Sequence, residues 1–323
     1  GTRMTVSRTP IFLQTAHGIK LTEARKFVNF GLRIQTKGNA MIRLTFLGTG
    51  TSQGIPMIGC NCEVCRSLDS HDKRLRSSVM IERFDERPDE RPKDILPDKP
   101  GHAIYTHPIG ADARIVIDAG PDFRTQMLRE NVKTLDAILL THEHKDHMGG
   151  IDDVRSFNYF QGCAVPIYAT ERVGNAVKKD FDYAFSENRY PGVPEIDLRT
   201  IHPNTPFDVA GFHIIPITGR HYMLPVTGFR IGNLAYLTDF NHIEDSQLEK
   251  LKGLDTLVIN ALRYEPHLSH FTVDEAINIS HILKPHRTYL THLSHQIGLY
   301  AQKKDTLPQG IEFAYDGLKI DIE

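Results

Sequence analysis

An α/β (α+β) fold is predicted by three features of this sequence. Short apolar runs of strand length alternate with stretches of helical periodicity, several of those runs end on a His or an Asp, and dense His, Asp and Cys clusters follow them. With 40% hydrophobic and 24% charged residues, the chain has the composition of a protein that buries a sizeable core. Its 323 residues suit one large domain with an appendage.

Taken in order, residues 1–40 carry Arg3, Arg8, Lys20, Arg25, Lys26, Arg33 and Lys37 against a single acidic Glu23, and read as an N-terminal extension. The leader is basic like a transit peptide but shows no hydrophobic signal core and no cleavage pattern, so a cytoplasmic location is expected. The main domain is expected to span residues 41–323. Residues 41–48 alternate apolar and polar side chains and predict its first strand. Residues 78–81 and 114–118 predict two more strands. Between them a stretch near 84–112, rich in charge and in Pro88, Pro92, Pro97 and Pro100, reads as an insertion too polar to offset its ordering entropy, joining neighbouring strands.

Residues 135–140 form an apolar run that predicts a buried strand ending at Thr141. Helices are predicted after Gly149-Gly150, around residues 151–160, and at residues 170–185. The second half repeats the alternation, with strands at 212–217, 228–231, 234–238, 257–260 and 288–290 and helices at 245–251 and 273–283. No short repeat occurs.

A formal net charge of -2 argues against a broad basic surface for nucleic acid, so the expected partner is a small molecule. No run approaches about 18 uninterrupted apolar residues, so no membrane span is expected. A homodimer is compatible with this composition. Four cysteines do not make a disulfide scaffold, and the crowding of Cys60, Cys62 and Cys65 points to a metal.

The segment Thr141-His142-Glu143-His144-Lys145-Asp146-His147 packs three imidazoles and an acceptor carboxylate into a tight loop. Neutral imidazole and carboxylate are ligands for zinc and similar divalent ions. His142 and His144, at alternate positions, can share one ion, while Asp146 and His147, turned by the following bend, can face a second. A solvated polar loop is the plainer reading, but this spacing is far more specific than a lone histidine. Glu143 and Lys145 are expected to point outward, solvated or supporting the shell.

These residues match H-x-H-x-D-H, and the chain after Met41 resembles the metallo-β-lactamase superfamily. The resemblance implies a four-layered αββα sandwich with metals at one edge between two sheets. It implies His221 as the next ligand, with His213 as competitor; His221 is favoured because it follows the predicted strand whereas His213 lies inside it. It also implies Asp239 as a carboxylate bridging both metals and His292 as the last ligand. The division expected is His142, His144, His221 and Asp239 on one ion, with Asp146, His147, Asp239 and His292 on the other. The cofactors implied are two divalent ions, Zn2+ or Mn2+, between which water would be deprotonated to become the nucleophile. His270 resembles the non-ligand histidine that serves as general acid in phosphodiesterase branches, with His267 as the nearby alternative. An ordinary imidazole, titrating near 6.5, suits that role. Asp146 and His270 are the expected catalytic residues.

Cys60-x-Cys62-x2-Cys65, following Gly48-Thr49-Gly50-Thr51-Ser52-Gln53-Gly54-Ile55-Pro56, is similar to the PhnP-like cyclic phosphodiesterase group. In that group three such cysteines and a distant histidine hold a structural Zn2+, and His295 fits the fourth place. A closed Cys3His set would rigidify its loop without doing chemistry; a ligand-free thiol cluster is the alternative. Cys163 is expected to be a small buried hydrophobe. Asp118 is expected to order the histidine loop by hydrogen bonding. Arg220, Arg263 and Tyr264 flank the site and could bind substrate phosphate or be solvated. The glycines around Thr49 lack the lysine of a phosphate-binding loop.

The function implied is a metal-dependent phosphodiesterase opening a small or cyclic phosphodiester. An RNase Z-like tRNA endonuclease, a thioester or lactone hydrolase, and a non-catalytic cofactor-assembly protein of the same fold are the alternatives. The first would need a basic RNA-docking arm, which the sequence does not show. The Pro-rich insertion and basic leader depart from the PhnP-like pattern and leave the substrate open.

Overall fold

The computed structural model describes residues 40–85 and 111–322. The expected N-terminal extension and nearly all of the expected insertion lie outside the described residues. Six strands come first among the described residues: β1 (Met41–Gly48), β2 (Ser78–Phe84), β3 (Ala113–Ile117), β4 (Ala137–Leu139), β5 (Val165–Thr170) and β6 (Ile196–Ile201). Seven more follow: β7 (Phe207–Val209), β8 (Phe212–His221), β9 (Leu224–Ile231), β10 (Leu234–Leu237), β11 (Thr256–Asn260), β12 (Arg287–Thr291) and β13 (Ile311–Phe313). The last, β14 (Lys319–Ile322), returns to pair with β1.

The strands make two sheets, ordered β14-β1-β2-β3-β4-β5-β6 and β13-β12-β11-β10-β9-β8-β7. Their inner faces share one apolar layer, with Phe46, Ile81 and Ile117 from the first sheet against Phe229, Tyr236 and Val258 from the second. Phe46 and Phe229 are wholly buried, and truncating either to alanine would cost about 3–5 kcal/mol. The outer face of the first sheet is covered by helices carrying Phe123, Phe157 and Val173, and that of the second by Val273, Ala276 and Leu283. Helix, sheet, sheet and helix layers make the αββα sandwich expected from the sequence. Among the described residues no helix is long and apolar enough to cross a membrane.

Local chemistry explains the elements nearest the chain's polar clusters. The helix Val273–Leu283 starts where Thr272 Oγ1 accepts from the Glu275 N–H at 3.2 Å and the Glu275 carboxylate accepts from the Thr272 N–H at 2.8 Å. This capping box satisfies two otherwise orphaned donors and fixes where the preceding loop ends. Gly120 is required by proximity, because a Cβ there would stand 1.9 Å from the Asp146 carbonyl oxygen. Parallel pairing of β10, β11 and β12 aligns their carboxyl ends at one rim, where polar loops collect.

Several expectations are corrected. Residue 170 belongs to β5, and the single helix expected at 170–185 is two, Glu171–Asp180 and Asp182–Phe185. The strand expected to stop at residue 217 runs to His221, because its backbone keeps pairing with β9 as far as His221 opposite Leu224. Cys163 is exposed rather than buried, sitting just past the left-handed Gly162 that ends the helix Arg155–Gln161. One expectation holds: strands β2 and β3 pair directly, with Arg83 opposite Ala113, so the segment between them joins neighbouring strands.

Candidate metal centre

Seven side chains able to hold a metal meet at the rim between the sheets. His142, His144, Asp146 and His147 come from the loop after β4 and the short helix Lys145–Met148; His221 closes β8, Asp239 lies two residues past β10, and His292 directly follows β12. The structure brings all of them together. Ligand atoms of His142, His144 and His221 lie within 4.8 Å of one another, as do those of Asp146, His147 and His292. Asp239 has Oδ2 3.1 Å from His147 Nε2 and Oδ1 3.2 Å from His292 Nε2, and its carboxylate also lies within 4.8 Å of ligand atoms of His142 and His221. His147 Nε2 is also 3.1 Å from the Asp146 carboxylate.

No hydrogen bond of proper geometry reaches buried Nε2 of His142, His147 or His292, even where carboxylate oxygens stand 3.1–3.2 Å away, and that would be costly unless a cation accepted the lone pairs. Nearby groups orient the rings. Asp118 accepts from His147 Nδ1 at 2.6 Å and from the Thr141 hydroxyl at 2.8 Å, and Thr141 Oγ1 lies 3.0 Å from His142 Nδ1. Because the Thr141 proton goes to Asp118, its oxygen accepts from His142. One buried carboxylate thus sets both rings with Nε2 facing the centre, the arrangement expected of metal-binding histidines. His221 Nδ1 donates to the Ser269 carbonyl at 2.7 Å to the same effect. The donor set of imidazoles and carboxylates fits divalent cations.

Backbone strain collects here. Asp118, Tyr222, Asp239 and His292 adopt φ of 67°, 57°, 62° and 56°. The left-handed region costs a non-glycine residue roughly 1–2 kcal/mol, and surrounding contacts must hold it in place.

Charges in the site shift strongly. Burial and then His147 hold His142 well below the usual imidazole range. His147 is itself buried, but Asp239, Asp118 and Asp146 together outweigh that and draw it well above. Burial would raise Asp239, and His292 and His147 overcome it to hold the carboxylate low.

His270 sits against this cluster, its ring 4.5 Å from His221 and 4.8 Å from His292 between centroids, with Nδ1 3.7 Å from Asp239 Oδ1. Burial, followed by His292, pushes its pKa down to about 2, so the expectation of an ordinary imidazole does not describe the protein alone. His267 is exposed beside it, ring centroids 5.1 Å apart.

His213 is excluded from the centre. It shares β8 with His221 but lies eight residues away, about 26 Å along an extended strand, exposed and paired with Asp208 at 2.8 Å. The residues considered for phosphate are engaged elsewhere: Arg220 with Glu244 at 2.9 Å, Arg263 with loop carbonyls, and Tyr264 beneath the Lys303 ammonium at 5.1 Å. Glu143 is not simply solvated, since Arg172 binds it and also the Pro225 carbonyl, tying the histidine loop to β9. Lys145 pairs with Asp180. Sequence reading missed Thr141, Asn260 and the Ser269 carbonyl, since hydroxyls, amides and backbone oxygens carry no distinctive spacing.

A second cluster lies apart from the first in composition. His295 Nδ1 is 3.2 Å from Cys62 Sγ, 3.4 Å from Cys60 Sγ and 3.9 Å from Cys65 Sγ. Zinc–sulfur and zinc–nitrogen bonds of usual length put tetrahedral S and N ligands about 3.5 Å apart, so the four residues fit a closed Cys3His zinc site. The helix Glu63–Arg66 supports it, Cys62 Sγ accepting from the Cys65 N–H at 3.4 Å. Burial raises the Cys62 thiol, but that N–H and His295 prevail and bring it to about 6.

Comparison with known proteins follows the same lines. Residues 113–293 match the beta-lactamase superfamily domain. A crystal structure of a diphosphatase from the PhnP family is similar with 38% identity and a TM-score of 0.74, over 87% of this chain and 97% of that one. Zn2+-bound PqqB from Methylobacterium extorquens shares the fold, with 17% identity and a TM-score of 0.65 over 87% of this chain and 100% of that one. An octanoyltransferase of Porphyromonas gingivalis is 40% identical over 284 residues, 87% of this chain and 52% of that protein. The chain spans about half the length of the curated relatives it matches.

Proposed function

The chain belongs to the metallo-β-lactamase superfamily of metal-dependent hydrolases, near its PhnP-like group, and on that premise we propose that it hydrolyses a small or cyclic phosphodiester. The observation that carries this reading is His270, a buried imidazole set beside the Asp239 carboxylate without belonging to either expected ligand group. Divalent cations held by His142, His144, Asp146, His147, His221, Asp239 and His292 would polarise a phosphoryl oxygen and acidify water.

The chain's own groups do the rest. Asp118 and Thr141 keep the imidazoles in one tautomer, and Asp239 and Asp146 supply the negative charge that offsets the cations. His270 is neutral in the protein alone, but an anionic phosphodiester beside it raises its proton affinity. It then protonates the leaving oxygen as the P–O bond breaks. With Arg220 and Arg263 committed to other partners, phosphate affinity rests on the centre itself, which suits a small substrate. The exposed Tyr222, Met223 and Leu268, adjoining His221 and His270 in sequence, offer apolar surface to its organic part. The Cys60, Cys62, Cys65 and His295 set would hold a structural Zn2+.

The test is turnover by Zn2+- or Mn2+-reconstituted protein on bis(p-nitrophenyl) phosphate, a ribose cyclic phosphate, a diphosphate, an octanoyl thioester and pre-tRNA. Metal-dependent cleavage of a phosphodiester is expected, and its absence on every phosphodiester overturns the reading. Acyl-ester hydrolysis is the second reading, favoured by the 40% identity to an octanoyltransferase. That protein is nearly twice the shared length, so its name does not fix the chemistry of the shared half.

A further inference from the structure

The loop between β11 and the helix Val273–Leu283 holds both His270 and the Ser269 carbonyl that orients His221. Two backbone bonds close its base, Leu262 N–H to the Phe271 carbonyl at 2.9 Å and Val273 N–H to the Arg263 carbonyl at 2.9 Å. Within it, the Arg263 side chain donates from Nε to the Glu265 carbonyl at 3.2 Å and from Nη2 to the Pro266 carbonyl at 3.0 Å. Its remaining arm, Nη1, donates to Gln296 Oε1 at 2.9 Å.

Gln296 is the residue after His295, the histidine at the centre of the Cys60, Cys62 and Cys65 cluster. Its own N–H is held by Ser294 Oγ at 3.2 Å, and Ser294 N–H reaches the Leu262 carbonyl at 3.0 Å. All three acceptors of Arg263 are neutral, and they lie on two separate segments. A planar guanidinium can span them in fixed geometry, whereas a lysine ammonium offers only a compact charge on a flexible stem.

We propose that Arg263 is a positioning residue, a strut that ties the cysteine–histidine zinc cluster to the loop bearing His270. Resting on the role given to His270 above, the strut makes loop placement depend on cluster integrity. When the cluster loses its ion, His295 and Gln296 are released, the third arm of Arg263 loses its anchor, and the loop loosens over the centre.

The deciding experiment is hydrogen exchange on the full-length Zn2+-loaded protein and its variants Arg263→Ala, Gln296→Ala, Cys62→Ser and the pairwise combinations with Arg263→Ala. Gln296→Ala is expected to speed exchange across residues 264–270 about tenfold, the size of losing one charge-assisted bond, and Arg263→Ala, which loses three, by more; both leave β10, β11 and β12 unchanged. Cys62→Ser is expected to open the same segment, with no further opening once Arg263 is already alanine. Unchanged exchange in Arg263→Ala, or additive effects in the combinations, overturns the strut. Should Cys62→Ser fail to fold, Gln296→Ala decides alone, since it removes only the linking bond.

Kinetics on bis(p-nitrophenyl) phosphate separate positioning from binding. Arg263→Ala should lower kcat at unchanged KM, with partial recovery in Arg263→Lys; a raised KM at unchanged kcat would make Arg263 a substrate contact and overturn the proposal. If the parent protein cleaves no phosphodiester, the functional reading fails while the exchange measurement still decides the strut.

Discussion

The side chain of Asn260 grips the main chain of Phe240 from both sides, Oδ1 accepting from its N–H at 2.7 Å and Nδ2 donating to its carbonyl at 2.9 Å. Both residues are wholly buried, and Phe240 directly follows the left-handed Asp239. Asn260 therefore anchors the backbone turn that aims the Asp239 carboxylate. Asn260→Ala leaves the Phe240 N–H bare and should cost about 1–3 kcal/mol in urea unfolding, together with weaker metal binding. An unchanged unfolding midpoint would show that the grip is idle.

Asp118 can be probed without disturbing its backbone, because asparagine also tolerates its positive φ. Asp118→Asn removes an acceptor shared by His147 and Thr141 and should weaken metal affinity roughly 10- to 100-fold. Competition against a chelator reads this directly, and parent-like affinity would mean that the rings are oriented by other contacts.

His270→Ala should keep the full metal content yet lower phosphodiester turnover by about 100-fold or more, as expected from losing a general acid. Elemental analysis accompanies the rate measurement. Equal loss of metal would make His270 a ligand, which its place within 4.8 Å of His221 and Asp239 makes a fair challenge.

Cys62→Ser should remove one metal ion per chain and lower thermal stability, because folding is linked to binding at a closed site. The histidine centre should keep its ions. Unchanged metal stoichiometry would reject a zinc at Cys60, Cys62, Cys65 and His295.

Glu130 gives a pH dependence whose sign can be worked out. Burial raises its carboxyl, but Arg129 at 2.8 Å and Lys319 at 3.0 Å outweigh that and hold it below its ordinary 4.5. A depressed carboxylate contributes stability above the unfolded value and loses it as pH falls through the folded value. Glu130→Gln should therefore destabilise the protein near pH 7, with the difference fading below about pH 4.5. A penalty that persists undiminished in acid would point to shape rather than charge.

Much of the centre was legible because its residues cluster along the chain. His142, His144, Asp146 and His147 occupy six positions after an apolar run, and Cys60, Cys62 and Cys65 occupy another six, so their chemistry shows in spacing alone. The strand at residues 41–48 and the helix at 273–283 were likewise readable from local period. Short or exposed strands such as β6, β7, β13 and β14 were not, since few buried side chains mark them.

What only the tertiary structure decided was which distant segments meet. His213 and His221 lie on one strand, and the position of its end, not its pattern, puts His221 in the centre. His295 reaches Cys60 across 235 residues, and Arg263 spends its guanidinium on loop carbonyls and Gln296 instead of an open anion site. Period and spacing encode a residue's local face and chemical type. Contact between strand ends depends on sheet register and layer packing, which no contiguous stretch of sequence contains.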